Sequence, residues 1–310
     1  MMRVIRGTSD FRVEESTVVA IGKFDGIHKG HGEIIKTMLD YKSRGLKMAV
    51  FTFDIPPASV FYGKNRKVLT TNEEKRKIFQ ELSVDYLIEF PFGREAAGIS
   101  AEQFIKRILL DRLHMKAAVV GTDCRFGYQG RGDTALLKAF GKRYGFDTVV
   151  VDKMLYEGRE ISSTYVREEI EAGNIVKANQ LLLRPYLFYG KVVHGRRLGR
   201  TLGMPTVNLL PEPEKLLPPN GVYFSRVIHM GQEYRAITNI GSKPTVSGEN
   251  SVIGIETYIY NFNEEVYGDY LYVSLYQFVR AEMKFPTVES LKEQMQSDIR
   301  KGEKWHKEHL

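Results

Sequence analysis

Two histidines three residues apart, His28 and His31, are the first residues in this sequence whose type and spacing could do chemistry. They fall in Ala20-Ile-Gly-Lys-Phe-Asp-Gly-Ile-His-Lys-Gly-His31, after an apolar run and at the start of a helix-patterned one. At a helix start this spacing puts both imidazoles on one face. Gly30 between them lets a ligand approach the backbone. Exposed N–H groups at a strand-to-helix turn bind phosphates, and two imidazole donors there could stabilise charge on a phosphoryl group in its transition state. The segment has neither the Walker lysine nor the G-x-G-x-x-G spacing. Histidine pairs also occur incidentally, and the spacing alone leaves both readings open.

Three further segments carry candidate groups. In Ile161-Ser-Ser-Thr-Tyr-Val-Arg167, the hydroxyls of Ser162, Ser163 and Thr164 can cap a helix or donate to phosphates, and Arg167 adds a forked cation. In Gly121-Thr-Asp-Cys-Arg-Phe-Gly127, Asp123 and Arg125 either fix the loop as a pair or contact a ligand directly. From Gly190 to Asn208, glycines 195, 199 and 203 interleave with Arg196, Arg197 and Arg200. Such a loop is cationic and close-approaching, as ATP phosphates require, although all-β domains need glycine turns in any case. Period two over 253–260 puts Glu256 on one strand face with Tyr258 and Tyr260, where a lone carboxylate is usually just solvated.

The elements that must position these groups follow from hydrophobic periodicity. Short apolar runs at 17–22, 47–53, 85–90, 117–121 and 147–151 read as strands. Helical spacing at 29–43, 72–82, 101–113 and 133–144 separates them, the alternation of a doubly wound parallel sheet. Two more helical stretches, near 163–172 and 174–182, run into Arg184-Pro185, and proline disfavours helix at the residue before it. The boundary is therefore expected there, giving domains 1–184 and 185–310. Beyond it, alternating segments at 187–194, 221–230, 234–240, 252–262 and 270–280 suggest an antiparallel barrel or sandwich. Leu291, Met295 and Ile299 give a C-terminal amphipathic helix to pack on it.

Bulk properties bound the function. A chain of 310 residues has room for two cores. With 43% hydrophobic and 27% charged residues it is neither a disordered nor a fibrous protein. No apolar stretch nears the roughly 18 residues of a membrane helix, and the N-terminus lacks a signal-peptide core, so a cytoplasmic protein without a membrane partner is expected. Cys124, the single cysteine, can form neither an internal disulfide nor a cysteine zinc site, and reads as a small buried hydrophobe. The net charge of +7 is dispersed among acidic residues, which fits an enzyme for polyanionic substrates, and no nucleic-acid partner is expected. Self-association is left open.

Taken in order, these segments resemble the HxGH nucleotidyltransferases, and specifically the bacterial bifunctional riboflavin kinase/FAD synthetase family. Residues 121–127 are similar to the family's Gly-x-Asp-Phe-Arg-Phe-Gly loop, with Cys124 where phenylalanine is usual, and 161–167 match its second nucleotide-binding motif. Pro205-Thr-Val-Asn208 resembles the PTAN motif of riboflavin kinases with Val207 for alanine. Asn239-Ile-Gly-Ser-Lys-Pro-Thr245, Tyr267-Gly268 and Arg280-Ala-Glu-Met-Lys-Phe285 extend the match. One departure is Thr52-Phe-Asp-Ile-Pro-Pro57, which lacks the family's loop histidine.

The resemblance implies a Rossmann-like α/β adenylyltransferase domain followed by an all-β riboflavin-kinase barrel. Around the catalytic His28 and His31, it implies ATP and FMN binding by Gly22, Phe24, Asp25, Gly26, Gly30, Asp123, Arg125, Ser162, Ser163, Thr164 and Arg167. In the barrel it implies ATP and flavin binding by Gly195, Arg200, Gly203, Pro205, Thr206, Asn208 and Arg280. Arg280 could equally form an ion pair with a surface carboxylate. Thr206 and Asn208 would hold magnesium, which accepts hard oxygen ligands, and Glu256 would orient or deprotonate the ribityl 5′-hydroxyl. The implied reactions use riboflavin, FMN and ATP and yield FMN, ADP, FAD and pyrophosphate. Two other readings are a monofunctional enzyme with a decayed module, the N-terminal site being the weaker, and a non-catalytic flavin- or RNA-binding regulator.

Overall fold

In a computed structural model, the protein is described over residues 1–55, 67–195, 198–244 and 251–309. Pro56, Pro57, Arg196, Arg197 and Thr245 lie outside these residues, as does the side chain of Arg200. The chain divides into two compact units, Met1–Ser163 and Thr164–Leu310.

The first unit is built on six parallel strands: β1 (Arg3–Arg6), β2 (Thr17–Ile21), β3 (Lys47–Phe53), β4 (Tyr86–Phe90), β5 (Met115–Gly121) and β6 (Asp147–Val151). Their order is β1-β4-β3-β2-β5-β6. Both faces are covered, so the strands are nearly continuous apolar runs rather than alternating ones. Val19, Phe51, Ile88 and Val120 enter one core, and Val18, Val50, Leu87 and Val119 enter the other. The crossovers are α1 (Lys29–Ser43), α2 (Asn72–Glu81), α3 (Ala101–Gln103, continuing as a wide π-helix over Phe104–Arg112) and α4 (Thr134–Tyr144). Thr71 and Glu74 close a reciprocal capping box at the start of α2. Asp133 caps α4, and Gly145 ends it in the left-handed region at φ 75°. A small hairpin, β7 (Leu155–Tyr156) with β8 (Arg159–Glu160), precedes the boundary.

In the second unit six antiparallel strands close a barrel: β9 (Tyr186–Val193), β10 (Thr206–Leu209), β11 (Gly221–His229), β12 (Gln232–Pro244), β13 (Ser251–Ile259) and β14 (Tyr270–Ala281). The order is β10-β13-β12-β11-β14-β9, with β9 returning to β10. The sequence left a barrel and a sandwich open; the barrel is what forms. Helix α5 (Ser163–Glu171) starts at the division, and α6 (Ile175–Leu181) groups with the barrel. Asn179 of α6 explains that grouping, since it donates to the Leu275 carbonyl of β14 and accepts from the Tyr186 N–H that opens β9. The expected boundary at 184/185 follows α6, whereas the division by packing precedes it. The C-terminal helix α7 (Val288–Glu308) begins at Thr287, whose hydroxyl accepts from Ser290 N–H, and buries Asp298, Gly302 and His306.

Candidate active sites

In the first unit, the turn from β2 into α1 is unusual in backbone. Phe24 (φ 48°), Gly26 (φ 85°) and Ile27 (φ 45°) all lie in the left-handed region, which disfavours the two non-glycine residues. Burial holds them there, each only 1% exposed. Asp25 pins the turn: its carboxylate accepts from Leu69 and Thr70 N–H at 2.8 and 3.1 Å, and Gly26 N–H donates to the Thr70 hydroxyl at 3.0 Å. From the other side the Ser163 hydroxyl donates to the Asp25 carbonyl at 2.8 Å. Gly22 stands where a Cβ would be 3.1 Å from the Phe24 ring.

The turn delivers His28 to the N-cap position of α1, and its carbonyl accepts from His31 N–H at 2.8 Å. The two imidazoles stack, ring centroids 3.8 Å apart, and His31 leans on Phe24. A Cβ at Gly30 would sit 3.2 Å from the His28 ring, so this glycine leaves room for the pair. Burial pushes the His28 pKa down to about 4 despite the pull of Asp123. Burial, then the charges of His28 and Lys75, push His31 well below the usual histidine range. Both rings are therefore neutral near pH 7, each with one N–H to give. Both Nδ1 atoms are buried without a hydrogen-bond partner among the described residues.

The other residues expected at this site divide between the two units. Asp123 and Arg125 are exposed; Arg125 lies 3.5 Å from Asp133, the cap of α4, in a solvated ion pair. Cys124 is buried and its thiol is pushed up to about 12 by that burial, which leaves it an inert core residue. Ser162 and Ser163 are half-buried at the start of α5, and Thr164 (exposed) and Arg167 (buried) follow on that helix in the second unit. Sequence reasoning missed Lys75. This α2 residue is 6% exposed, and burial lowers its pKa against the attraction of Asp25, Glu89 and Glu74.

The second unit holds a cleft of about 390 Å³, lined by Gly195, Pro205, Thr206 and Asn208 on one side and by Glu264 and Tyr267 on another. Strand β10 sets Asn208 opposite Glu256 of β13, and the Thr206 hydroxyl donates to Glu256 Oε1 at 2.8 Å. Asn208 is buried, and a Cβ at Gly195 would overlap its amide. Gly203 is in the left-handed region at φ 77°. Arg200 falls in a short helix, Leu198–Thr201. Arg280 is held by the second of its two expected alternatives, although the carboxylate is a buried one. Its Nε and Nη2 donate to Asp298 of α7 at 2.9 and 2.7 Å, and its Nη1 donates to the Ala281 carbonyl.

The FAD synthetase family model matches residues 10–165, and the riboflavin kinase family model matches residues 182–306. A bifunctional riboflavin kinase/FMN adenylyltransferase of Buchnera aphidicola from Schizaphis graminum is 34% identical over 304 residues, covering 96% of this chain and 97% of the relative. The chain belongs to the bifunctional riboflavin kinase/FMN adenylyltransferase family. The Escherichia coli K12 member is 34% identical, with 96% of each chain covered. The Listeria monocytogenes member is 36% identical, with 94% of this chain and 93% of the relative covered. Among solved structures, one described as a macrolide-efflux protein from Streptococcus pneumoniae superposes with a TM-score of 0.83 at 29% identity, covering 96% of this chain and 97% of that one. No helix among the described residues here is long and apolar enough to cross a membrane. Matches in both halves make this member a bifunctional transferase, and the single-module reading is not favoured.

Proposed function

We propose that the barrel unit transfers the γ-phosphoryl group of ATP to riboflavin, and that the α/β unit joins FMN to the adenylyl group of a second ATP. The observation that carries the reading is the Thr206–Glu256 hydrogen bond at the cleft, which holds a carboxylate oriented beside a hydroxyl and an amide. In the kinase step Glu256 accepts the proton of the ribityl 5′-hydroxyl as its oxygen attacks phosphorus and ADP leaves. Thr206 and Asn208 suit magnesium, since hydroxyl and amide oxygens complement phosphate oxygens around it; bound there, magnesium would neutralise charge on the transferred group. Gly195 and Pro205 line the cleft; Gly203 gives the preceding loop its turn, Arg200 contributes charge to the phosphates, and Arg280, paired with Asp298, is assigned to the flavin or phosphate.

In the adenylyl step an FMN phosphate oxygen attacks the α-phosphorus of ATP and pyrophosphate leaves. Neutral His28 and His31 donate N–H to the phosphate oxygens on which charge gathers, beside the Lys29 and Gly30 N–H groups at the start of α1. Gly22, Phe24, Asp25, Gly26 and Gly30 build the turn, and Asp123, Arg125, Ser162, Ser163, Thr164 and Arg167 complete the nucleotide and flavin contacts. The protein forms no covalent bond in either step, so its contribution is position and charge. We assign the adenylyl function to 1–184 and the kinase function to 185–310, in a cytoplasmic enzyme with no nucleic-acid partner and with self-association compatible.

Flavins separated by chromatography after incubation with riboflavin, ATP and magnesium test this. The parent chain yields FMN and then FAD. His28→Ala should stop FAD formation and spare FMN, and Glu256→Gln should do the reverse with FMN supplied, each lost rate falling by about a hundredfold or more. A parent chain that makes no new flavin overturns the reading in favour of a binding protein.

A further inference from the structure

One wall of the barrel cleft is the segment 260–269 between β13 and β14, which contributes Phe262, Glu264 and Tyr267. It carries adjacent carboxylates, Glu264 and Glu265, beside a cleft assigned to a triphosphate. Like charges there repel, so the wall keeps its place only if something in the barrel holds it.

His229 is the residue built to do so. It is 5% exposed and ends β11, where Met230 (φ 47°) and Gly231 (φ 85°) reverse the chain directly into β12. Two consecutive left-handed residues form the tight turn that matches strand twist, so the histidine stands on a rigid hairpin end. Its Nε2 lies 2.9 Å from Asp269 Oδ2 and its Nδ1 3.7 Å from Glu264 Oε2. One ring thus stands between a carboxylate from the middle of the wall and one from its C-terminal end. Phe262 packs edge-on against the same ring and against Tyr234 of β12. His229 itself does not line the cleft.

We propose that His229 is a positioning residue for the kinase reaction. It ties the middle and the C-terminal end of the 260–269 wall to the β11–β12 hairpin and so sets substrate affinity rather than the rate of phosphoryl transfer. This rests on the assignment of the cleft to the kinase.

The test uses the full chain with His229→Ala, His229→Gln, Asp269→Ala and the double variant His229→Ala/Asp269→Ala. Losing a hydrogen bond to a charged group should raise the KM for ATP or riboflavin by about tenfold in His229→Ala, with kcat within about twofold of the parent. His229→Gln keeps an N–H for Asp269 and should recover most of the loss. The double variant should be no worse than His229→Ala, since both changes break one contact. FMN adenylylation should be untouched in all four. Hydrogen exchange should quicken over 260–269 in His229→Ala. A fall in kcat at constant KM, fully additive losses, or unchanged exchange over 260–269 would each overturn the proposal. A parent chain that adenylylates FMN but leaves riboflavin untouched sinks the kinase assignment instead, and the exchange measurement still decides whether His229 holds the wall.

Discussion

Two imidazoles stacked at 3.8 Å in a buried turn have their protonation fixed as well as their position, because burial disfavours charge on both and the charges of His28 and Lys75 disfavour it further on His31. The sign of the linkage follows. His28 has an unfolded pKa of 6.5 and a folded one of about 4, so below 6.5 the unfolded chain binds a proton that the folded chain does not. Its full contribution to stability is present above 6.5 and drains away as pH falls toward 4. Urea midpoints measured across that window should decline in the parent chain and decline less in His28→Asn. At the other site, Thr206→Val removes the donor that orients Glu256 and should lower FMN formation by about tenfold or more, with FAD formation from supplied FMN unchanged. The sequence singled out His28 for its spacing from His31, and Thr206 and Glu256 for their resemblance to family motifs; the structure adds the stacked ring pair and the Thr206–Glu256 hydrogen bond. Lys75 was not: in the sequence it is one of several charges on an ordinary helix, and only the packing of α2 shows it buried and close in charge to His31.

Among the elements, α1 and β3 were legible to their ends, since their apolar periodicity is strong and each covers or fills a sheet core. Four strands were not: β1, β10 and the two-residue strands of the β7–β8 hairpin. β1 is four residues with only Ile5 buried, too short to display a period, and its place is given by pairing with β4. β10 lies inside the motif read for its phosphate chemistry, and that same tetrapeptide is needed to close the barrel. The loop 121–127 shows a sequence motif doing structural work. Gly127 has φ 71°, and a Cβ there would come within 2.5 Å of the Ala101 backbone. Gly127→Ala should cost about 2 kcal/mol or more, read as a fall in melting temperature. Arg280 makes a comparable point from the barrel: of the ligand contact and the ion pair the sequence left open, the ion pair is present, tying β14 to Asp298 of α7.

At the scale of the whole molecule, two units with separate sheets and cores should melt in two calorimetric transitions, and Gly127→Ala should move only one of them. The barrel has a further consequence for synthesis on the ribosome. Its first strand, β9, finds one neighbour in β10 nearby, but its other neighbour is β14, the last strand of all. The parallel sheet is complete once β6 has emerged, while the barrel stays open until Tyr270–Ala281 has been made. During translation the adenylyl half thus has all its strands while the nascent kinase half still presents unpaired edges, so a ribosome stalled between β13 and β14 leaves an aggregation-prone partial barrel.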